Sequence, residues 1–179
     1  MIIELPNFVC NEDIVKIRDA VRPYLLDKQD NYQTNRDGNT VNISKTPELK
    51  EIDDALHGFF SKIGSGVLKC RYKPQFDSAD SGYEYHRYNP GDVCHYHSDG
   101  EVDPYGMLRY ASVVLHMNTP AEGGEIVFPA QNKSVKTEAG KVVIFPPYGS
   151  YGHYTTPSAD PREVIVSWFV YQNVSIRIN

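Results

Sequence analysis

Two stretches in the first third of the chain have the apolar spacing of amphipathic helices. The first begins at Asn11, which is expected to cap it, and its apolar residues recur at steps of three or four: Ile14, Ile17, Ala20, Val21 and Leu25. The second begins at Thr46-Pro47-Glu48, with the proline at the first helical position. Its apolar residues are Leu49, Ile52, Leu56, Phe59, Phe60 and Ile63. The pattern predicts two helices, the second ending at Gly64.

The segment between these helices has few apolar residues. From Asp30 to Ser44 it is rich in Asn, Asp, Thr and Gly, which predicts a long exposed loop. Long loops in compact domains often serve as lids.

After residue 66 the pattern changes to short runs rich in Tyr, Val and Ile, separated by Gly, Pro, Asn and Asp. The runs are 83 to 88, 93 to 97, 108 to 117, 125 to 128, 133 to 136, 141 to 145 and 164 to 171. About seven short strands at this spacing indicate an antiparallel sandwich or barrel. We therefore expect one domain over 1–179, with helical support in 1–66 and a β core in 67–179.

Composition excludes several classes of protein. Lys and Arg number 18 against 23 Asp and Glu, a formal charge of −5, which disfavours a nucleic-acid partner. No window approaches the ~18 consecutive apolar residues of a membrane span. The three cysteines form no CxxC pair, and the first residues do not resemble a secretory signal. We expect reduced thiols and a cytoplasmic location.

Three side chains have the chemistry and spacing of a metal site. His97 and Asp99 stand two positions apart, so on an extended chain they share one face. His153 follows 56 residues after His97, beyond a predicted strand and the Pro146-Pro147 turn. Two imidazoles and one carboxylate occupy one face of an octahedral iron(II), which leaves three adjacent positions for O₂ and a substrate-derived ligand.

Arg162 stands at the entry to the last predicted strand. By strand alternation it shares a side with Val164 and Val166, so its guanidinium is expected to face the interior. A charge on an otherwise apolar face requires an anion. A dicarboxylate that binds iron at one end and pairs bidentately with Arg162 at the other satisfies both requirements.

These residues lie within a series of motifs whose order resembles one enzyme family. The motifs are Ile2-Ile3-Glu4-Leu5-Pro6-Asn7-Phe8, Arg87-Tyr88-Asn89-Pro90-Gly91, Tyr96-His97-Ser98-Asp99, Met117-Asn118, Gly123-Gly124-Glu125-Ile126-Val127-Phe128-Pro129, Gly140-Lys141-Val142-Val143-Ile144-Phe145, His153, Arg162 and Trp168-Phe169. In order and spacing the chain resembles the iron(II) and 2-oxoglutarate-dependent dioxygenases, specifically their prolyl 4-hydroxylase-like branch. The resemblance covers nearly the whole chain.

The resemblance implies a fold and a reaction. The fold is mainly β (α+β), a double-stranded β-helix or jelly roll braced by N-terminal helices. The reaction is hydroxylation of an unactivated C–H with decarboxylation of 2-oxoglutarate to succinate and CO₂, using Fe(II), O₂ and ascorbate as reductant. A proline-containing peptide or protein is the expected substrate. A free amino acid or another small molecule is the alternative.

The resemblance also implies roles for individual residues. His97, Asp99 and His153 are the iron ligands, Arg162 holds the distal carboxylate of 2-oxoglutarate, and Tyr88 donates a hydrogen bond near it. The position before Met117-Asn118, often a tyrosine in this family, is here His116. Strand alternation places His116 on the inner face, either beside the co-substrate or in a structural role. A histidine beside the co-substrate is expected to contribute in a pH-dependent way.

Two other interpretations remain open. A cupin-type metalloprotein has a similar barrel, and His95, His97 and Glu101 faintly resemble its first motif, while Gly140 to His153 resembles its second. Such a protein does not need Arg162. The other interpretation is a binding module that has kept the fold and lost turnover.

Four further features are expected to be structural. His57 and His86 are interpreted as surface or packing groups, and Gly123-Gly124 as a tight turn. Trp168 is expected in the core, with a position in the wall of the pocket as the alternative.

Overall fold

The first helix packs its apolar face as its spacing predicts. The computed structural model describes residues 1–25, 36–72 and 77–175. Helix α1 spans Asn11–Val21, buries Ile14 and Ile17, and is followed by a 3₁₀ turn over Arg22–Tyr24. The expectation that Asn11 caps this helix is wrong, because Asn11 is already the first helical residue. The N-cap is Cys10, whose side chain makes no capping hydrogen bond.

The second helix runs beyond its expected end. A 3₁₀ turn over Pro47–Leu49 leads into α2, Lys50–Lys62, which continues as a π-helical segment Ile63–Leu68 and as α3, Lys69–Arg71. The prediction that Gly64 ends the helix is therefore wrong. A Cβ at Gly64 would lie 2.9 Å from Cε1 of Phe169, so this glycine allows the helix to approach the sheet.

Within the described residues, ten strands form two antiparallel sheets. They are β1 Ile3–Leu5, β2 Asn39–Asn42, β3 Ser78–Asp80, β4 Glu84–Tyr88, β5 Met107–His116, β6 Ile126–Phe128, β7 Lys133–Val135, β8 Val142–Phe145, β9 Tyr154–Thr155 and β10 Arg162–Ser175. The larger sheet has the order β1-β8-β5-β10-β4-β2, with β3 paired to β10, and the smaller has the order β7-β6-β9. The predicted mainly β fold braced by helices is confirmed.

The run 93 to 97 is not a regular strand. Only Cys94 and His97 pair within it, as isolated bridges to Arg36 and His153. Part of the predicted loop is a strand instead, since β2 pairs with β4. Residues 30–35 of that loop lie outside the described residues. The short strands β1, β2, β3 and β9 had no periodic signal in the sequence.

The larger sheet separates two apolar cores. Its outer face packs on the helices through residues such as Tyr85 and Ile165, while Tyr88 and Val164 face the smaller sheet. The inner face of β4 and β10 is therefore the face that encloses the candidate site. No helix among the described residues combines the length and apolar character needed to cross a membrane.

Two adjacent phenylalanines on α2 test the packing of the helices on the sheet. Phe60 is fully buried, with its ring centroid 4.9 Å from that of Tyr83, whereas Phe59 is only partly buried under the Lys62 ammonium. Phe60→Ala should lower the free energy of unfolding by about 3–5 kcal/mol. Phe59→Ala should cost less than half as much. Denaturant titration measures both, and equal losses would contradict this packing.

Candidate metal centre and anion site

His97 and His153 meet because their backbones pair directly. The amide of His97 donates to the carbonyl of His153 at 3.0 Å, and the amide of His153 donates to that of His97 at 2.8 Å. The two rings lie 4.4 Å apart, centroid to centroid. This single antiparallel bridge brings together two residues that the sequence separates by 56 positions.

Backbone carbonyls fix the orientation of both imidazoles. Nδ1 of His97 lies 2.8 Å from the carbonyl oxygen of His95, and Nδ1 of His153 lies 3.0 Å from that of Tyr151. A carbonyl oxygen only accepts hydrogen bonds, so each Nδ1 carries the proton. In the neutral form of each ring, Nε2 is then the nitrogen whose lone pair a metal binds.

Asp99 completes the cluster. One carboxylate oxygen lies 3.3 Å from Nε2 of His97. One ligand atom from each of the three residues lies within 4.8 Å of the other two, the one such group of His, Cys, Asp and Glu that the described part of the chain contains. The guanidinium of Arg109 donates to the backbone carbonyl of Asp99 at 2.6 Å and so anchors the turn. Two imidazoles and one carboxylate match the donor set that iron(II) uses in open octahedral sites.

The protonation states of the cluster suit a cation. Burial tends to raise the pKa of Asp99, but His97 and His153 outweigh it and hold that pKa well below its usual range. Burial, with smaller contributions from the charges of His97 and Arg162, lowers the pKa of His153. Burial lowers the pKa of His97, but the contacts with Asp99 and Cys94 outweigh it and raise that pKa to about 10. A cation that binds here therefore replaces the Nε2 proton of His97, while Asp99 is ionised and His153 is neutral.

Arg162 is a buried cation at the start of β10. It is 3% exposed, and its Nε donates to the carbonyl of Gly124 at 3.0 Å and lies 3.3 Å from the hydroxyl of Thr137. No carboxylate among the described residues pairs with its guanidinium. Burial lowers the pKa of Arg162 from its ordinary value, but the group remains cationic.

The Gly123-Gly124 turn makes room for Arg162. Both glycines have positive φ, 73° and 75°, and a Cβ on Gly124 would lie 3.2 Å from Cδ of Arg162. The turn thus has the conformation that the sequence predicts, and it also supplies the carbonyl that orients the guanidinium.

Tyr88 and His116 both lie near Arg162. Tyr88 is opposite Arg162 across the β4–β10 pair, with its ring 5.2 Å from the guanidinium. His116 is on the inner face of β5, as alternation predicts, and it is fully buried. Burial, then the charges of Arg162 and Lys141, lower the pKa of His116 well below its usual value. The imidazole stays neutral near pH 7, contrary to the expected pH dependence.

One cavity between the two sheets joins the metal cluster to Arg162. Its lining includes the three candidate ligands, Tyr88 and Arg162, with apolar walls from Val114, Ile126, Phe145 and Val164. His116 is not among the residues that line it. Trp168 lines the cavity, so its expected core position is wrong.

Sequence reasoning missed two residues of this cavity. Both Arg36 and Cys94 line the cavity. Arg36 lies in the predicted loop, where the sequence has no periodic pattern that indicates a buried position. The sulfur of Cys94 lies 3.7 Å from Nδ1 of His97. His86, expected to be a packing group, is buried with its ring against the Arg36 guanidinium. His95 is exposed, whereas Arg162 lies inside the cavity, so the geometry does not favour the cupin alternative.

Solved structures of prolyl hydroxylases share this fold. A viral collagen prolyl hydroxylase from Paramecium Bursaria Chlorella virus-1 has a TM-score of 0.73 at 18% identity, covering 95% of this chain and 96% of its own. A Pseudomonas putida prolyl-4-hydroxylase has a TM-score of 0.66 at 19% identity, covering 96% and 93%. A Trichoplax adhaerens prolyl hydroxylase, solved with a hypoxia inducible factor peptide, has a TM-score of 0.71 at 13% identity, covering 96% and 84%. The jelly-roll fold is therefore confirmed.

A comparison with curated protein sequences gives no match. The model of the 2OG-Fe(II) oxygenase superfamily matches residues 83–170. That range runs from β4 into β10 and contains His97, Asp99, His153 and Arg162. The segment 83–170, which contains the candidate ligands and Arg162, therefore belongs to the 2OG-Fe(II) oxygenase superfamily.

Proposed function

We propose that this protein is an Fe(II)- and 2-oxoglutarate-dependent dioxygenase that hydroxylates a peptidyl proline. One observation carries the proposal: the same cavity has a His-Asp-His cluster and a buried guanidinium with no carboxylate partner among the described residues. A bound dicarboxylate supplies the missing anion. The whole chain then acts as one catalytic domain.

The metal ligands in this proposal are His97, Asp99 and His153. They fit iron(II) because three facial donors leave adjacent positions open, and because both imidazoles already present Nε2. When bound, iron(II) and 2-oxoglutarate use O₂ to convert a substrate C–H to C–OH, releasing succinate and CO₂.

Arg162 binds the distal carboxylate of 2-oxoglutarate in this scheme. Its Nε is engaged by Gly124 and Thr137, so the two terminal nitrogens of the guanidinium are the ones presented to the carboxylate. Tyr88, beside Arg162, supplies a phenolic hydroxyl that stays protonated, since burial raises its pKa above the ordinary value. It therefore donates a hydrogen bond to the co-substrate.

His116 is assigned to the same end of the site. As a neutral ring close to Arg162, it offers one N–H donor without adding positive charge. Apolar walls from Val114, Val164 and Phe145 exclude water around these groups and strengthen their electrostatic interactions.

The substrate assignment draws on the names of the similar proteins. Three solved prolyl hydroxylases share the fold, and the structure of one is a complex with a peptide. The segment 98–107 is assigned to closing over an extended chain. The segment 30–44 is not assigned this role, because Asn39–Asn42 within it pairs with β4 in the larger sheet. Ascorbate is assigned as the reductant. A cytoplasmic location accords with three free cysteines, Cys10, Cys70 and Cys94.

Turnover assays test this function. The purified protein with Fe(II), ascorbate and 2-oxoglutarate should form succinate, and a proline-rich peptide should raise the rate and gain one oxygen by mass spectrometry. A peptide with every proline replaced by alanine is the matched control. If a free amino acid gains oxygen and none of the peptides does, the substrate is a free amino acid and the peptide assignment is wrong. If no succinate forms, the dioxygenase proposal is refuted.

Metal binding tests the three ligands. The wild-type chain should bind one Mn(II), detected by loss of the free-ion EPR signal. His153→Ala should weaken that affinity by at least about 100-fold, because even outer-shell changes cost 10- to 100-fold. His95→Ala, which removes an exposed imidazole two residues from His97, should bind as the wild type does. Equal loss in both variants would contradict the ligand assignment.

Co-substrate affinity tests Arg162. Arg162→Ala should raise the half-saturating 2-oxoglutarate concentration by about two to three orders of magnitude, since breaking a buried ion pair costs roughly 3–5 kcal/mol. Mn(II) affinity should survive. Arg162→Lys keeps the charge and loses the bidentate geometry, so its half-saturating 2-oxoglutarate concentration should lie between those of the wild type and of Arg162→Ala. An unchanged 2-oxoglutarate dependence would remove Arg162 from the site.

A further inference from the structure

Three buried N–H donors near the cavity have no acceptor within the part of the chain that the structure describes. They are Nε of Arg36, Nε of Arg109 and Nε1 of Trp168. Leaving a buried donor unsatisfied costs about 1–3 kcal/mol, and more for a charged group. Three of them in one region therefore indicate that an acceptor binds there.

Two of the three side chains line the cavity, and the third stacks on one of them. Arg36 and Trp168 both line it, and the guanidinium of Arg109 lies 4.3 Å from the Trp168 ring centroid. Trp168 is six residues beyond Arg162 on β10, which is about 20 Å along an extended strand. The backbone of Trp168 is thus well separated from that of Arg162, while Arg36 contacts the ring of His86, two residues before Tyr88 on β4.

The ring of His86 positions Arg36. Its Nδ1 lies 2.8 Å from a terminal nitrogen of Arg36. Burial, followed by the charge of Arg36, lowers the pKa of His86 to about 4, so the ring is neutral near pH 7. A neutral ring packs against the guanidinium without repelling it.

Nearby carboxylates do not satisfy these donors. Glu84 lies 4.0 Å from a terminal nitrogen of Arg36 and 3.4 Å from His86, and its charge also acts on Arg109. Its carboxylate makes no hydrogen bond to Nε of either arginine. Asp103, which is close enough to Arg109 to influence its pKa, accepts hydrogen bonds from two backbone amides of its own loop. Asp99 belongs to the metal cluster.

We propose that Arg36, together with Arg109 and Trp168, binds a carboxylate of the primary substrate. This inference rests on the proposed function, and it makes the substrate an acidic one. The carboxylate has two possible sources: an Asp or Glu side chain next to the hydroxylated residue, or a free C-terminal carboxylate. A guanidinium binds a carboxylate more strongly than an amide because the hydrogen bonds are charge-assisted.

Trp168 offers a direct readout, since it is the one tryptophan in the chain. We suggest titrating its fluorescence in protein loaded with Mn(II) and 2-oxoglutarate, without O₂, so that no probe is consumed. The probes are acetyl-Gly-Pro-Asp amide against acetyl-Gly-Pro-Asn amide, and acetyl-Gly-Pro with a free carboxylate against acetyl-Gly-Pro amide. The first pair reports a side-chain carboxylate and the second a terminal one.

At least one acid probe should bind about tenfold more tightly than its amide, the equivalent of one charge-assisted hydrogen bond. Arg36→Gln should reduce that preference to below about twofold, and Arg36→Lys should retain part of it. Arg71→Gln, which changes an exposed arginine on α3, should leave the preference intact. The fluorescence spectrum of each variant without probe checks that the pocket has folded.

Three results would overturn the inference: equal binding of acid and amide in both pairs, no saturable change with either acid, or an acid preference that survives in Arg36→Gln. These differ from failure of the proposed function, in which 2-oxoglutarate itself shows no metal-dependent binding. Succinate formation without peptide gives a separate check of the proposed function, and it should be unchanged in Arg71→Gln.

Discussion

Two adjacent charges at the start of β10 are buried on opposite faces of the sheet, and only one is neutralised. Glu163 faces the helices, where its carboxylate lies 2.6 Å from Arg18 and 3.3 Å from Arg22, with Arg87 at 3.5 Å. Arg162 faces the cavity with a carbonyl and a hydroxyl as its partners. Because a buried charge is costly unless compensated, the fold leaves a specific requirement for an anion at this point.

That requirement connects the fold to the chemistry. The ion pairs of Glu163 join α1 to the larger sheet and fix the end of β10 from which Arg162 projects. The bridge between His97 and His153 fixes the other side of the cavity. The distance between the cation and the metal cluster is thus set by the pairing of β10 and by the bridge between His97 and His153. A dicarboxylate that reaches both ends meets groups that are already oriented.

The sequence predicted the parts of the site that depend on local spacing. Strand alternation placed Arg162 and His116 on the inner face, and the two helices appeared where apolar residues recur. It failed where a contact between distant elements decides the structure. Gly64 did not end a helix because Phe169 packs against it, and the run 93 to 97 pairs only through two isolated bridges. The position of Arg36 in the cavity was not predicted, because it is fixed by a contact with His86 and its own segment has no periodic pattern.

The central claim is that one dicarboxylate spans the cavity from the metal cluster to Arg162. A crystal structure of the protein with Mn(II) and 2-oxoglutarate, prepared without O₂, tests it most directly. We expect Nε2 of His97 and His153 and a carboxylate oxygen of Asp99 on the metal, with the far carboxylate of 2-oxoglutarate on the guanidinium of Arg162. A metal bound by other residues, or a 2-oxoglutarate that leaves Arg162 without an anion, would contradict the account.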